Sequence, residues 1–223
     1  MLADFDPDPQ ALKRRFKQRC VETGGVYRNW QIRVHRSLSW SLRAKTFGEA
    51  HPEAELLYLW IALNSLYGEW DAAECRPAHD GSSRRRFLRR LVRADASRCA
   101  QFLRERKPVL KKLLSSPFLS STFWRNPDAP SAREHAIAEL YQLDRLLRHG
   151  PHDRLLELAF DRVAVFRGQL VHGASSGGSR LNRGTLAACL EWLRGAVPLT
   201  QHLAIEHLAD DDWPAMCYPP LEG

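Results

Sequence analysis

Apolar residues recur along this chain at helical spacing, and no run alternates apolar and polar residues with period two between hairpin turns. The pattern predicts an all-α protein. Asp8 followed by Pro9 is a cap and first-turn pair, opening a helix that Gly24 and Gly25 stop. Asn29 is placed to cap a second helix over residues 30–45. The stretch from about Pro52 to Tyr67 (EAELLYLWIALNSLY) is apolar on nearly every face between Leu56 and Leu66, which predicts the central helix of the fold, with Gly68 as its stop.

Residues 69–83 contain Pro77, Gly81 and paired serines and read as a connection. Residues 84–93 form an amphipathic helix, with Phe87, Leu88, Leu91 and Val92 as its apolar stripe and six arginines elsewhere. Ser97 is the expected cap of a further helix interrupted near Pro108, and Ser116 with Pro117 starts a short one. Residues 126–130, NPDAP, read as a rigid linker. Ser131 and Glu134 have capping-box spacing, opening a helix that Gly150 and Pro151 close. The next helix, over residues 152–172, ends at Gly173 and is followed by a turn, SSGGS, at 175–179. A last helical region, 183–208, should kink or break between Gly195 and Pro198. The reading is one helical domain over residues 1–209, with a non-helical tail over 210–223.

Composition narrows the class. A chain of 223 residues with 44% hydrophobic and 26% charged residues is that of a globular protein rather than a disordered or collagen-like one. No apolar run approaches the roughly 18–20 residues a bilayer span needs, and the first ten residues are acidic, so a cytoplasmic address without membrane attachment is expected. Five scattered cysteines without a C-x-x-C pair read as reduced structural thiols. The formal net charge of +7 favours a polyanionic partner, although an excess of arginine over lysine also follows genome composition.

The sequence contains no metal-ligand cluster, Gly-rich phosphate loop or nucleophile elbow, and no cofactor is expected. The remaining candidate is a helix end, Arg167-Gly168-Gln169-Leu170-Val171-His172. Histidine moves protons near neutral pH and arginine stabilises charge building on phosphorus, the two residue types a metal-free phosphodiester cleavage requires. Spacing alone is weak, since Arg28 with His35 and Arg145 with His152 fit the same pattern. On an ideal helix the two side chains would also leave roughly 140° apart.

Two segments, LYLWIALNSLYG at 57–68 and FRGQLVHG at 166–173, with NWQIRVHRSLSW at 29–40 as helical leader, give the chain a resemblance to the HEPN family (higher eukaryotes and prokaryotes nucleotide-binding), in particular its bacterial defence and toxin-like members. The rest of the chain agrees only in being helical. The resemblance implies a helical bundle, commonly a homodimer, whose paired R-x4-6-H motifs share one cleft. Catalytic members are metal-independent endoribonucleases that leave a 2′,3′-cyclic phosphate. It further implies His172 as acid and base, Arg167 as phosphate stabiliser, and an antitoxin or regulatory partner. Active relatives frequently carry Asn, Asp or His directly after the arginine, where this chain has Gly168.

Each candidate also has a plainer reading. His172 suits a helix C-terminus through the macrodipole alone. Arg167 suits a structural ion pair. Asn64 shares a stripe with Leu57, Trp60, Ile61 and Tyr67, so its amide is expected to be buried, either satisfied in the core or orienting Arg167 or His172. Arg86, Arg89 and Arg93 are expected to contact RNA, because six arginines with few nearby acids repel one another; the alternative is a solvated face.

Overall fold

The segment predicted to be central is helix α3 (Pro52–Tyr67), and it shares the centre with a longer helix, α11 (Arg183–His207). The computed structural model describes residues 7–174 and 182–219; the predicted turn at 175–179 lies outside them. α3 buries Leu56, Leu59, Trp60, Leu63, Leu66 and Tyr67 against α2 (Arg28–Ala44) and α11. α1 (Pro9–Glu22) closes over α2 and α11. On the other side of α11 lie α4 (Asp80–Ala94), α5 (Ala96–Glu105), α6 (Lys107–Ser115) and α10 (His152–Val171). Short helices α7 (Ser121–Arg125), α8 (Ala132–Ala136) and α9 (Leu143–His149) lie between α6 and α10 in the chain. Among the described residues no helix is long and apolar enough to cross a membrane. All five cysteines are free, and burial pushes the Cys99 thiol up to about 12, leaving it a protonated core residue.

Helix stops at Gly24, Gly68, Gly150 and Gly173 fall where the sequence puts them, because a terminus is a local property of backbone and side chain. Several other expectations are corrected. The expected break at residues 195–198 is absent: α11 runs unbroken through Pro198, since almost every residue from Gly195 to Ile205 is buried and packing outweighs the roughly 3 kcal/mol intrinsic cost of an interior proline. Gly195 lies under the Arg106 guanidinium, which a Cβ there would approach to 3.0 Å. Asp95, not Ser97, caps α5 by accepting from the Arg98 N–H at 2.9 Å. Ser131 makes no capping box; its hydroxyl meets His135 instead, and the helix expected over 131–150 splits into α8, a 3-10 turn (Ala138–Gln142) and α9. Residues 69–83 contain a small antiparallel hairpin, β1 (Trp70–Asp71) with β2 (Arg76–Pro77).

The described part of the C-terminal tail, residues 210–219, is non-helical, and it is docked. The Trp70 N–H donates to the Ala215 carbonyl at 3.0 Å, and Glu69 bridges Met216. What holds it is Arg33, a guanidinium only 1% exposed. Arg33 donates through Nε to Asn29 Oδ1 (2.8 Å), through Nη1 to the Leu66 and Gly68 carbonyls (3.0 and 2.7 Å), and through Nη2 to those of Pro214 and Ala215 (3.0 and 3.3 Å). Asn29 is therefore not a cap: it lies inside α2, and its amide donates to the same tail at Pro214 O, 3.1 Å. Burial, opposed by the charge of Glu69, pushes the Arg33 pKa down to about 10, which leaves the group cationic at neutral pH.

Removing this guanidinium strands buried carbonyls on two elements. Arg33→Met should cost about 3–5 kcal/mol in urea unfolding and release the tail amides to hydrogen exchange, whereas Arg36→Met, whose guanidinium donates to the tail's Met216 and Tyr218, should cost under about 1 kcal/mol. A second prediction concerns His202 on α11. Burial, with the nearby charges of Arg98 and His207, lowers its pKa against the opposing effect of Glu206 and Asp95. The unfolded chain thus takes up this proton first, so stability should fall as pH drops below the unfolded value of about 6.5, down to the folded one. His202→Gln should flatten that part of a stability-versus-pH curve.

Candidate functional site

α10 is buried along Leu155, Leu156, Leu158, Ala159, Phe160, Val163 and Phe166, then leaves the core at Arg167. The Arg167 guanidinium lies 5.5 Å from the centroid of the buried Trp60 ring, close enough for a cation–π contact. Its Nε is shielded from water and has no acceptor among the described residues. Arg84 approaches the same indole at 5.4 Å; its Nη1 and Nη2 pair with Asp80 and Asp161, each at 2.6 Å, while its Nε, like that of Arg167, has no acceptor among the described residues. The Tyr67 hydroxyl donates to that same Asp80 at 2.6 Å, and burial is the main reason its pKa is raised. Trp60 thus has two cations beside it, of which one is neutralised and one is not.

At the helix end the backbone does its own capping. Gly173 takes φ +69°, its N–H reaching the Leu170 carbonyl at 3.2 Å and the Ala174 N–H reaching Gln169 at 2.8 Å, which together make a Schellman motif. The His172 N–H takes the Gly168 carbonyl at 3.0 Å. The last carbonyls are therefore occupied without the imidazole, which is exposed and carries no hydrogen bond or ion pair among the described residues. A capping role for His172 is thereby unsupported. Arg167 and His172 leave α10 on different sides, as helical geometry requires.

Asn64 is corrected: it is exposed, not buried, and no hydrogen bond joins its side chain to Arg167 or His172. The open side of α3 carries Ile61, Asn64 and Ser65 and lines a groove of about 510 Å³, walled by Arg36 and Trp40 of α2 and closed by Met216, Cys217 and Tyr218 of the tail. Neither Arg167 nor His172 lines this groove. The stripe misled because burial on α3 follows its neighbours α2 and α11, which cover Leu59, Ala62, Leu63 and Leu66 instead.

The premise of the expectation for α4, that few acids lie near its arginines, is corrected as well. Its arginines do not lack acids, because other segments of the chain supply them. Arg84 meets Asp80 and Asp161, Arg85 meets the buried Glu157, Arg86 meets Glu69, Arg89 meets Asp153 at 3.4 Å, and Arg90 meets Asp211 at 2.6 Å. Of the three residues expected to bind RNA, only Arg93 has no carboxylate among the described residues. Trp60, the indole that Arg167 and Arg84 share, carries no sequence signal because it reads as core, and the pairing of Arg84 with Asp161 carries none because the two are on different helices, α4 and α10.

Comparison of the chain with protein-family models, with curated proteins and with solved structures finds no match to any of them.

Because Arg86 and Arg89 are already neutralised and exposed pairs contribute little, replacing Arg86, Arg89 and Arg93 together by Gln should remove about 1 kcal/mol of stability, lower Tm by about 2–4 °C, and change RNA affinity less than about twofold in a salt-series gel shift.

Proposed function

We propose that the chain is a metal-independent endoribonuclease of the HEPN type, working as a toxin or defence effector restrained by an antitoxin or regulatory partner. The observation that carries this reading is the end of α10: a half-buried arginine with a shielded, unpartnered Nε, followed one turn later by an exposed imidazole that the helix cap does not use. A guanidinium in that condition is suited to an anion, and a phosphate offers acceptors in its plane.

In the proposed reaction an imidazole takes the proton of the ribose 2′-OH, whose oxygen attacks the adjacent phosphorus. The new O2′–P bond forms as the P–O5′ bond breaks, and a protonated imidazole returns a proton to the leaving 5′ oxygen. The products are a 2′,3′-cyclic phosphate and a 5′-OH. Arg167 would stabilise the charge that accumulates on the phosphoryl oxygens. Because the two side chains diverge within one chain, the proposal includes a homodimer in which the α10 ends of both copies border one cleft.

A second reading is a non-catalytic HEPN module that binds RNA, nucleotide or a partner protein, and Gly168 favours it. The position after Arg167 has no polar side chain, although a Cβ there would meet nothing within 4 Å. The experiment is incubation of the purified protein with RNA in EDTA. His172→Ala and Arg167→Ala should each lower cleavage at least about 100-fold, and the product should carry a cyclic phosphate. Gly168→Asn, which the open space admits, should raise it. Equal inertness of the parent and all variants would establish the binding module instead.

A further inference from the structure

The last turn of α10 holds a third polar side chain between Arg167 and His172. Gln169 Nε2 donates to the Phe118 carbonyl at 3.0 Å, and Trp124 Nε1 donates to that same oxygen at 2.9 Å. Two donors from different helices meeting on one carbonyl fix α7 and the 3-10 turn Pro117–Leu119 against the end of α10. The indole's only polar atom is thereby satisfied from within, yet Trp124 remains 51% exposed and Phe118 45%. Behind them the buried Phe123 stands edge-on to both rings, each at 5.2 Å, and with Ala132 and Ala136 forms a small core separate from the main one. The two exposed rings are therefore backed and held, unlike scattered surface aromatics.

The charge around these rings is equally specific. Arg133 lies over the Phe118 ring at 5.4 Å, and Arg125 follows Trp124 in α7. Both are exposed, and like Arg167 neither has a carboxylate partner among the described residues. That is the reverse of α4, where all the arginines but Arg93 are paired internally. Gln169 and His172 are three residues apart on the helix end, so the carbonyl that anchors the cluster is held by a residue neighbouring the imidazole along α10.

We infer that Phe118 and Trp124 are a stacking platform for unpaired nucleobases of an RNA strand. The inference rests on the ribonuclease reading for the nature of the ligand. Aromatic faces with unneutralised arginines around them match a strand that presents bases and phosphates together, and a duplex, whose bases stack on one another, has no face to offer. A second copy of the chain fits less well, because a two-fold contact through this patch would bring Arg125 and Arg133 against their own counterparts.

The test measures binding without cleavage, in a His172→Ala background, by fluorescence anisotropy of a labelled short single-stranded RNA and of the blunt duplex made from it. Trp124→Ala should weaken single-strand binding about tenfold or more, Trp124→Phe should keep it within about threefold, and the duplex should bind weakly and ignore both changes. Circular dichroism of the two variants should match the parent. The platform is overturned if Trp124→Ala binds like the parent, if Trp124→Phe loses as much as Trp124→Ala, if the parent binds neither RNA, or if sedimentation shows that Trp124→Ala turns a dimer into a monomer. Loss of binding on Trp124→Ala in a protein that never cuts RNA would sustain the platform while removing the nuclease. Unchanged binding with cleavage intact would remove the platform alone.

Discussion

One buried guanidinium decides how the two ends of this chain meet. Arg33 sits within α2, where a cation out of water is expensive unless every donor is taken. It is tolerated because four backbone carbonyls and one amide oxygen converge on it, two of those carbonyls from the C-terminal end of α3, where the helix dipole is negative. The tail supplies the other two, and its Trp213 packs on the Arg33 and Arg90 guanidiniums and on Phe87 of α4. Fixing the tail fixes the wall of the α2–α3 groove, and fixing Phe87 helps set α4 against α3. The position of Arg84 beside Trp60, and hence the indole that Arg167 shares, follows from that arrangement.

Charge in this protein is organised rather than spread. The helix with the most arginines is also the one most completely matched by acids, which come from the connection before it, from α10 and from the tail. Such pairs contribute little each, but together they set α4 in register with its neighbours. A positive net charge then has to appear elsewhere, and part of it does so around α7, α8 and the end of α10. For a polyanionic ligand the cations that matter are those the fold leaves unmatched, since a matched arginine must first be separated from its carboxylate.

The end of α10 shows how one helical turn can serve several tasks. Its backbone closes the helix through Gly173, its Gln169 anchors an aromatic cluster, and its arginine and imidazole remain uncommitted. A helix capped by side chains would have spent His172 on a carbonyl. The glycine that ends the helix, required by the left-handed backbone, is thus what leaves the histidine available.

The all-α class, the starts at Pro9 and Pro52 and the stops at Gly68, Gly150 and Gly173 were legible in the sequence, because they depend on local backbone preference and on apolar spacing. The pairing of Arg167 with His172 as candidate chemistry rests on residue type and on resemblance. What only the tertiary structure decided is everything set by partners distant in the chain: that α11 passes through Pro198 unbroken, that Asn64 faces a groove instead of the core, that Asn29 and Arg33 hold the tail, and that the arginines of α4 other than Arg93 find their acids within the chain. Local preferences contribute a kcal/mol or so per residue, whereas burial and charge pairing act between segments brought together only by folding, and no spacing along one helix records which neighbour will cover it.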